Sequence, residues 1–389
     1  MLERTDRSVL GIWFWTVDRW LLTSAFMLMG IGIIMVMAAS PPVAERIGLS
    51  EQHFVLRQLF YLPLAIGLML VTSLLNPRQI RIISLFGLVG ICGLMLMTLV
   101  HGAEVKGATR WISLGPLRLQ PSEFAKPFFA VVCAWLLYLW REGDDFPGWI
   151  WATAVAGIIT LILIMQPDVG MTSVIVLTWG FQMFLAGMPV LLVIVAATIA
   201  VIGGVAAYFF LDHVQSRVLK FLDGGAWQTK QSIQSFIDGG LLGVGPGDGQ
   251  VKLNLPDAHA DFIFSVAAEE YGLFACLMLI TLYAFFVLRS FDKSVSRQSL
   301  FSLIAGAGLA MQFGVQAAIH MASSVDLIPT KGMTLPFISY GGSSLLASAL
   351  TVGFILAVTR KETHSSAERF ASTPRGEHPL DYRGGKNGT

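Results

Sequence analysis

Ten apolar stretches, each about 20 residues long, constrain this chain more than any motif in it. They lie near 20–39, 54–75, 80–100, 121–140, 148–166, 169–187, 189–211, 261–289, 299–321 and 337–359. A helix of that length rises far enough to cross the roughly 30 Å hydrocarbon core of a bilayer. Inside lipid the backbone must satisfy its own hydrogen bonds, so continuous apolar runs of this length have one folded solution, the transmembrane helix. Composition agrees: 54% of residues are hydrophobic, 13% are charged, and the mean hydropathy is +0.68. These values do not describe an ordinary soluble domain. The expected fold is therefore an all-α polytopic integral membrane protein, a bundle of about ten transmembrane helices. The first run is uncharged and is preceded by about twenty residues without a clean small-residue cleavage pattern, so it reads as a retained signal anchor.

Basic residues near helix ends resist translocation, and their distribution orients the bundle. With both termini inside, the short cytoplasmic segments hold fifteen Lys and Arg residues, among them Arg78, Arg81, Arg141, Arg289 and Lys293. The short outer loops then hold five: Arg46, Lys106, Arg110, Arg118 and Lys331. The expected division is a cytoplasmic N-terminal tail at 1–18, a membrane domain at 19–360, and a polar cytoplasmic tail at 361–389. The large outer loop, 212–260, connects helices seven and eight, and the tail is too poor in aliphatic residues to order itself. Cys92, Cys133 and Cys276 all fall inside apolar spans, where thiols behave as small hydrophobes. The net charge of +1 gives no footprint for nucleic acid.

Polar and glycine residues crowd the outer segments, so any chemistry is expected on that face. In "EVKGATRWISLGPLRLQPSEFAKP" (104–127), Pro121 can open a helix, and Glu123 and Lys126 then share one face three residues apart. They read either as an internal ion pair or, with Arg110, as holders of a phosphate group. Trp111 beside Arg110 reads equally as an interfacial anchor. In "QPDVG" (166–170), Pro167 ends one helix and Asp168 can cap the next. "SYGGSS" (339–344) opens the last helix, as a tight turn or as a place where a pyrophosphate approaches exposed amides. "GGLLGVGPGDG" (239–249) follows no strand of a βαβ unit and reads as a flexible or turn-rich outer loop.

Three acids need an explanation in or beside the eighth apolar run. Asp261 stands at its threshold and can cap the helix or do chemistry. Glu269 and Glu270 fall inside it, where a charged carboxylate costs roughly 2.5 to 3.5 kcal/mol at a helix centre. They must be protonated, paired, or placed in a polar cavity.

Taken in order, "GATRWISLGPLRLQPSEFAKP", "QPDVG", "LPDAHADFIFSVAAEEYG" and "IPTKGMTLPFISYGGSS" resemble the SEDS (FtsW/RodA) family from about residue 20 to 360. The wording of "PDAHADF" and "PTKGMTLPFISYGGSS" is more similar to its division branch than to its elongation branch. The resemblance implies a peptidoglycan glycosyltransferase that polymerises lipid II at the outer face of the cytoplasmic (inner) membrane, enriched at the septum. It implies Asp261 as the catalytic residue, and Arg110, Trp111, Glu123, Lys126, Lys331, Ser339, Gly341 and Gly342 on the substrate. It also implies a divalent cation, Mg2+ or Mn2+, with Asp261 and Glu123 as its ligands, while Asp168, Glu269 and Glu270 read from their own positions as structural polar residues. The implied partners are a class B penicillin-binding protein, an FtsI-like transpeptidase, and other divisome proteins. The chain departs from the family at Ala260, where Thr or Ser is usual, at His320, where Asn is, and at Asp326, where Gly is. Two other classes remain: a lipid II flippase and a non-enzymatic divisome scaffold.

Overall fold

The computed structural model describes residues 8–105, 108–114, 117–143, 145–189, 227–297, 299–329 and 332–361, with isolated positions between 191 and 219. The expected disorder of the tail, Lys331 and most of the span at 189–211 fall outside the described residues. Two compact units are present. One includes α1 (Val9–Thr16), whose first turn is capped by the Ser8 hydroxyl accepting the Gly11 N–H at 3.0 Å. The other, Asp18–Thr359, is the membrane bundle.

Among the described residues the bundle is nearly all helical, and seven of the described helices are long and apolar enough to cross a membrane. These are α2 (Arg19–Ala39), α4 (His53–Ser73), α5 (Pro77–His101), α6 (Pro121–Glu142), α7 (Gly148–Met165), α10 (Ile263–Val295) and α11 (Leu300–Ser324). Two shorter apolar helices, α8 (Val169–Leu185) and α12 (Gly342–Val358), occupy the sixth and tenth predicted spans. A short helix α3 (Pro41–Arg46) follows α2. Start signals act as chemistry requires: Pro77 and Pro121 open α5 and α6 at positions where a missing N–H costs nothing. Asn76 and Gln79 form a capping box at the head of α5.

Helices α6, α11 and α12 make the interior. The most apolar windows of α6 and α11 are 67% and 72% buried, against 17% for α4, which turns side chains such as Phe60 outward to lipid. Glycine lets the central helices approach closely. A Cβ at Gly353 of α12 would lie 2.8 Å from the Met69 carbonyl oxygen and 3.1 Å from the Thr72 Cβ of α4. Gly353→Val is therefore expected to cost about 1–3 kcal/mol by overpacking, read as a lower unfolding temperature in detergent. An unchanged melting curve would show that α4 and α12 can separate freely.

Three expectations need correction. First, the bundle is not all-α: the segment before α6 forms an antiparallel sheet in the order β1 (Ala103–Val105), β2 (Ala108–Leu114), β3 (Leu117–Leu119). Ala103 pairs with Trp111 and Ile112 with Leu119. The strands are too short to show a period of two, and Gly107 and Gly115-Pro116 made the run look like plain loop. Second, part of the 212–260 connection is helical. Helix α9 (Trp227–Gly239) and a 3-10 turn at Val251–Leu253 flank a segment in which Gly240, Gly243, Gly245 and Gly247 all take positive φ.

Third, the eighth span is two helices. α10 starts at Ile263, after Asp261, and breaks at Gly272, where φ is 74° and ψ is −174°. Residues 273–295 alone reach roughly 34 Å, a full hydrocarbon crossing. The nine residues Ile263–Tyr271 are surplus length beyond the break. Glu269 and Glu270 therefore belong to a separate, buried piece of helix on the N-terminal side of the break.

Candidate active site

Alternation of the helices brings the described residues 40–53, 102–105, 108–114, 117–120, 166–168, 227–262, 325–329 and 332–341 to one end of the bundle. Long-range contacts stitch that end together: Arg46 donates to the Leu253 carbonyl, and the Gln120 N–H donates to the Ser343 hydroxyl at 3.0 Å.

Asp261 occupies a tight turn in front of α10. Its own N–H and that of Ala260 both donate to the Asp257 carbonyl at 2.9 Å, and Asp257 adopts a left-handed φ of 57°. Asp residues tolerate that conformation. The two carbonyls preceding Asp261 are held from outside: Ser339 Oγ donates to Ala260 at 2.6 Å, and the Tyr340 N–H donates to His259 at 2.9 Å. The His259 ring packs against both Phe54 and Tyr340, with centroids 4.3 and 5.1 Å away, and those two rings also touch each other at 4.9 Å. The Asp261 carboxylate is half-buried and faces the backbone of Gly332, where a Cβ would lie 3.7 Å from Oδ2.

The strap of residues 332–341 that faces Asp261 is fixed by α11. Gln316 Nε2 donates to the Thr334 carbonyl at 3.0 Å, and His320 Nδ1 donates to the Met333 carbonyl at 2.7 Å. These residues are four apart, so one face of α11 grips two successive carbonyls. Gln316 also accepts from Lys126 Nζ at 2.5 Å, and Lys126 donates to Glu123 at 2.8 Å. Lys126 and Glu123 are 2% and 3% exposed, so the pair is inside the protein. Beside it lies a cavity of about 10 Å³, lined by Gln312, Ser348 and Thr351 as well as the pair. Thr334 Oγ1 and Ser344 Oγ are 2.5 Å apart, joining the strap to the first turn of α12.

The remaining sequence candidates take different positions. Arg110 leaves β2 to clasp the 166–168 turn: Nε and Nη2 donate to the carbonyls of Gln166 and Pro167 at 3.1 and 2.5 Å, and Nη1 lies 3.3 Å from the Asp168 carboxylate. Asp168 caps α8 through the Met171 N–H at 3.1 Å. Trp111 is half-buried on the same strand. Gly341 is the N-cap of α12 without a side-chain cap, and Gly342 passes so close to Tyr61 that a Cβ would meet the ring at 2.6 Å. Ser339 is occupied by the backbone of Leu335 and Ala260. Glu269 and Glu270 face residues 247–252.

Two cations outside the expected set of substrate residues, Arg57 and Arg118, stand at the SYGG turn. Arg57 is hydrogen-bonded to the Tyr340 hydroxyl, and Arg118 lies close enough to act on the same phenol electrostatically. Burial pushes the Tyr340 hydroxyl above its ordinary pKa, and the two guanidiniums pull it back. A charged residue in the first turns of an apolar span was the available signal for Arg57, as was an amide in the ninth span for Gln316.

Among the described residues, no group of three or more His, Cys, Asp and Glu side chains is arranged to hold a metal ion. Glu123 is committed to the buried ammonium of Lys126, and a dication beside it would face that charge, so Glu123 does not fit the expected ligand role. Asp261, half-buried and on a turn, suits a hard ion that takes its other oxygen ligands from a substrate.

Fold and site together define a multi-pass membrane protein with a half-buried carboxylate on a pinned turn at one end of its helices. A sequence profile described as "Cell cycle protein", for the FtsW, RodA and SpoVE proteins, matches residues 19–364, and the chain belongs to that family. The probable peptidoglycan glycosyltransferase FtsW of Caulobacter vibrioides is 44% identical over 362 residues, spanning 92% of this chain and 93% of its own. The Coxiella burnetii protein of the same name is 33% identical, over 88% of this chain and 96% of its own. A solved peptidoglycan synthase complex contains a chain 27% identical, with a TM-score of 0.73 over 88% of this chain and 97% of that one. The rod shape determining protein RodA of Thermus thermophilus is 25% identical, with a TM-score of 0.63 over 88% of this chain and 96% of its own.

Proposed function

We propose that this chain is a peptidoglycan glycosyltransferase that polymerises lipid II, with the Asp261 end at the outer face of the inner membrane and both termini in the cytoplasm. The observation that carries the reading is the Asp261 turn, whose backbone is pinned by Ser339 and Tyr340 so that its carboxylate meets the strap at Gly332. The names of the relatives support the activity.

In the proposed reaction the 4-hydroxyl of an acceptor sugar attacks the anomeric carbon of a lipid-pyrophosphate donor. The carbon–oxygen bond to the pyrophosphate breaks with inversion, undecaprenyl pyrophosphate leaves, and the hydroxyl proton passes to Asp261. Charge grows on the leaving group, so fixed positive groups act there. Arg57 and Arg118 flank the turn at Gly341 and Gly342, and the first-turn amides of α12 point out of the same end. Lys331 and Trp111 complete the proposed substrate surface. Arg110 and Lys126 act from behind, Arg110 on the 166–168 turn and Lys126 on the strap through Gln316. Asp261 with substrate phosphate oxygens would hold Mg2+ or Mn2+, which would neutralise charge on the pyrophosphate when bound. The proposed partners are a class B penicillin-binding protein of the FtsI type and other divisome proteins, at the septum.

Purified protein with its partner, fluorescent lipid II and Mg2+ or Mn2+ is expected to yield glycan strands and undecaprenyl pyrophosphate. Chelation is expected to stop the reaction, and added cation to restore it. Lipid II that crosses vesicles without being polymerised would sink the enzyme reading and favour a flippase. Neither polymer nor transport would leave the scaffold reading.

A further inference from the structure

Glu269 and Glu270 are 2% and 1% exposed, and neither is spent on a neighbouring membrane helix. Glu269 Oε1 accepts the backbone N–H groups of Gln250 at 2.5 Å and Val251 at 2.7 Å, and its Oε2 accepts that of Lys252 at 3.3 Å. Glu270 Oε2 accepts the Gly247 N–H at 3.0 Å, and its Oε1 pairs with the Lys252 ammonium. Lys252 Nζ continues to the carbonyls of Gly247 at 2.9 Å and Ala38 at 3.3 Å. The backbone adds two further bonds, from the Val244 and Gly245 N–H groups to the carbonyls of Glu269 and Glu270 at 2.9 and 3.1 Å. Glycine makes the approach possible: a Cβ at Gly249 would lie 2.8 Å from Glu269 Oε2, and one at Gly243 would lie 2.6 Å from the Tyr271 nitrogen.

These bonds close a loop of chain. Lys252 and Glu270 are 18 residues apart, so Asp261 stands nine residues from each, at the apex. The apex is held by Ser339 and Tyr340, and the base by the two acids. Both oxygens of each carboxylate act as acceptors, and bonds of this kind, from charged acceptor to backbone N–H, are shorter and stronger than neutral ones. Without them the segment 247–252 would regain conformational freedom and leave buried carboxylates unpaired.

We propose that Glu269, Glu270 and Lys252 are positioning residues that close the base of this loop and thereby set the Asp261 carboxylate against the 332–341 strap. The proposal rests on the reading of Asp261 as the base. The three residues touch no substrate; they act through the path of the backbone.

The test uses the full chain with its partner, and compares Glu269→Gln, Glu270→Gln and Lys252→Met with the parent. A misplacement of the catalytic group by about 1 Å lowers turnover by up to about 100-fold, so kcat is expected to fall about 10- to 100-fold with KM nearly unchanged. Lys252→Arg, which keeps a cation for Glu270, is expected to recover most of the turnover lost in Lys252→Met. Hydrogen exchange, measured on the same samples without substrate, is expected to speed up at the amides of Gly247, Gln250 and Val251 in the Gln variants, while the amides of α6 and α11 stay protected. A folded Gln variant with parental exchange at those amides overturns the clamp. So does a loss that appears in KM alone, or one that Lys252→Arg shares with Lys252→Met. If exchange opens as expected but the parent makes no polymer, the clamp stands and the glycosyltransferase reading falls.

Discussion

Asp261→Asn is expected to lower lipid II polymerisation by about 100- to 10,000-fold, the range a positioned general base contributes. Asn keeps the size and the turn geometry but cannot take a proton from the acceptor hydroxyl. The loss should appear in kcat, and the melting temperature in detergent should stay near that of the parent, because the turn is built from backbone bonds to Asp257, Ser339 and Tyr340. An Asn variant with parental turnover would remove Asp261 from the chemistry. An Asn variant that fails to fold would show that the carboxylate itself holds the turn; Asp261→Glu, which restores a base on a longer arm, is then expected to fold and regain part of the rate.

Lys126→Met should be the most destabilising single change in the membrane interior. It removes the ammonium that Glu123 and Gln316 share and leaves a carboxylate that is 3% exposed without its partner. Breaking a buried ion pair by deleting one side typically costs about 3–5 kcal/mol. Glu123→Gln combined with Lys126→Met removes both charges and is expected to recover much of that loss in a thermal or urea titration in micelles. If the double variant is no more stable than the single one, the cost arises elsewhere, for instance in the bond from Gln316 to the strap.

The bundle was legible because hydrocarbon imposes a length, and a helix of about 20 apolar residues has few alternatives. The Asp168 cap and the Glu123–Lys126 pair were legible for a related reason: both are local, set by spacings of three residues along one helix. What escaped the sequence is nonlocal. Gln316 joins Lys126 across 190 residues, and Arg110 reaches 56 residues to the Gln166 carbonyl. Glu269 gave no hint that its partners were backbone amides 17 to 19 residues upstream, since amides carry no residue signature. Gly272 was visible, but a lone glycine in an apolar run is as compatible with an unbroken helix as with the turn that separates two here. Arg110 had the chemistry of a phosphate ligand, and only its three-dimensional neighbours committed it to the 166–168 turn.

Helix α12 follows every other described span in the sequence, and every residue from Ser343 to Val358 except Leu346 is buried by protein. Unlike α4 or α5, it presents almost no face to lipid, and its closest neighbour, α4, was made near the start of the chain. The ribosome thus delivers the centre of the bundle after most of its wall. Until Gly342 and the residues beyond it arrive, the groove that receives α12 must stay open or be held by another protein, and the strap facing Asp261 has no first turn of α12 to anchor it. Biogenesis and the anchoring of the strap are therefore linked: a chain stopped before α12 would lack the turn that ties the strap facing Asp261 to the bundle.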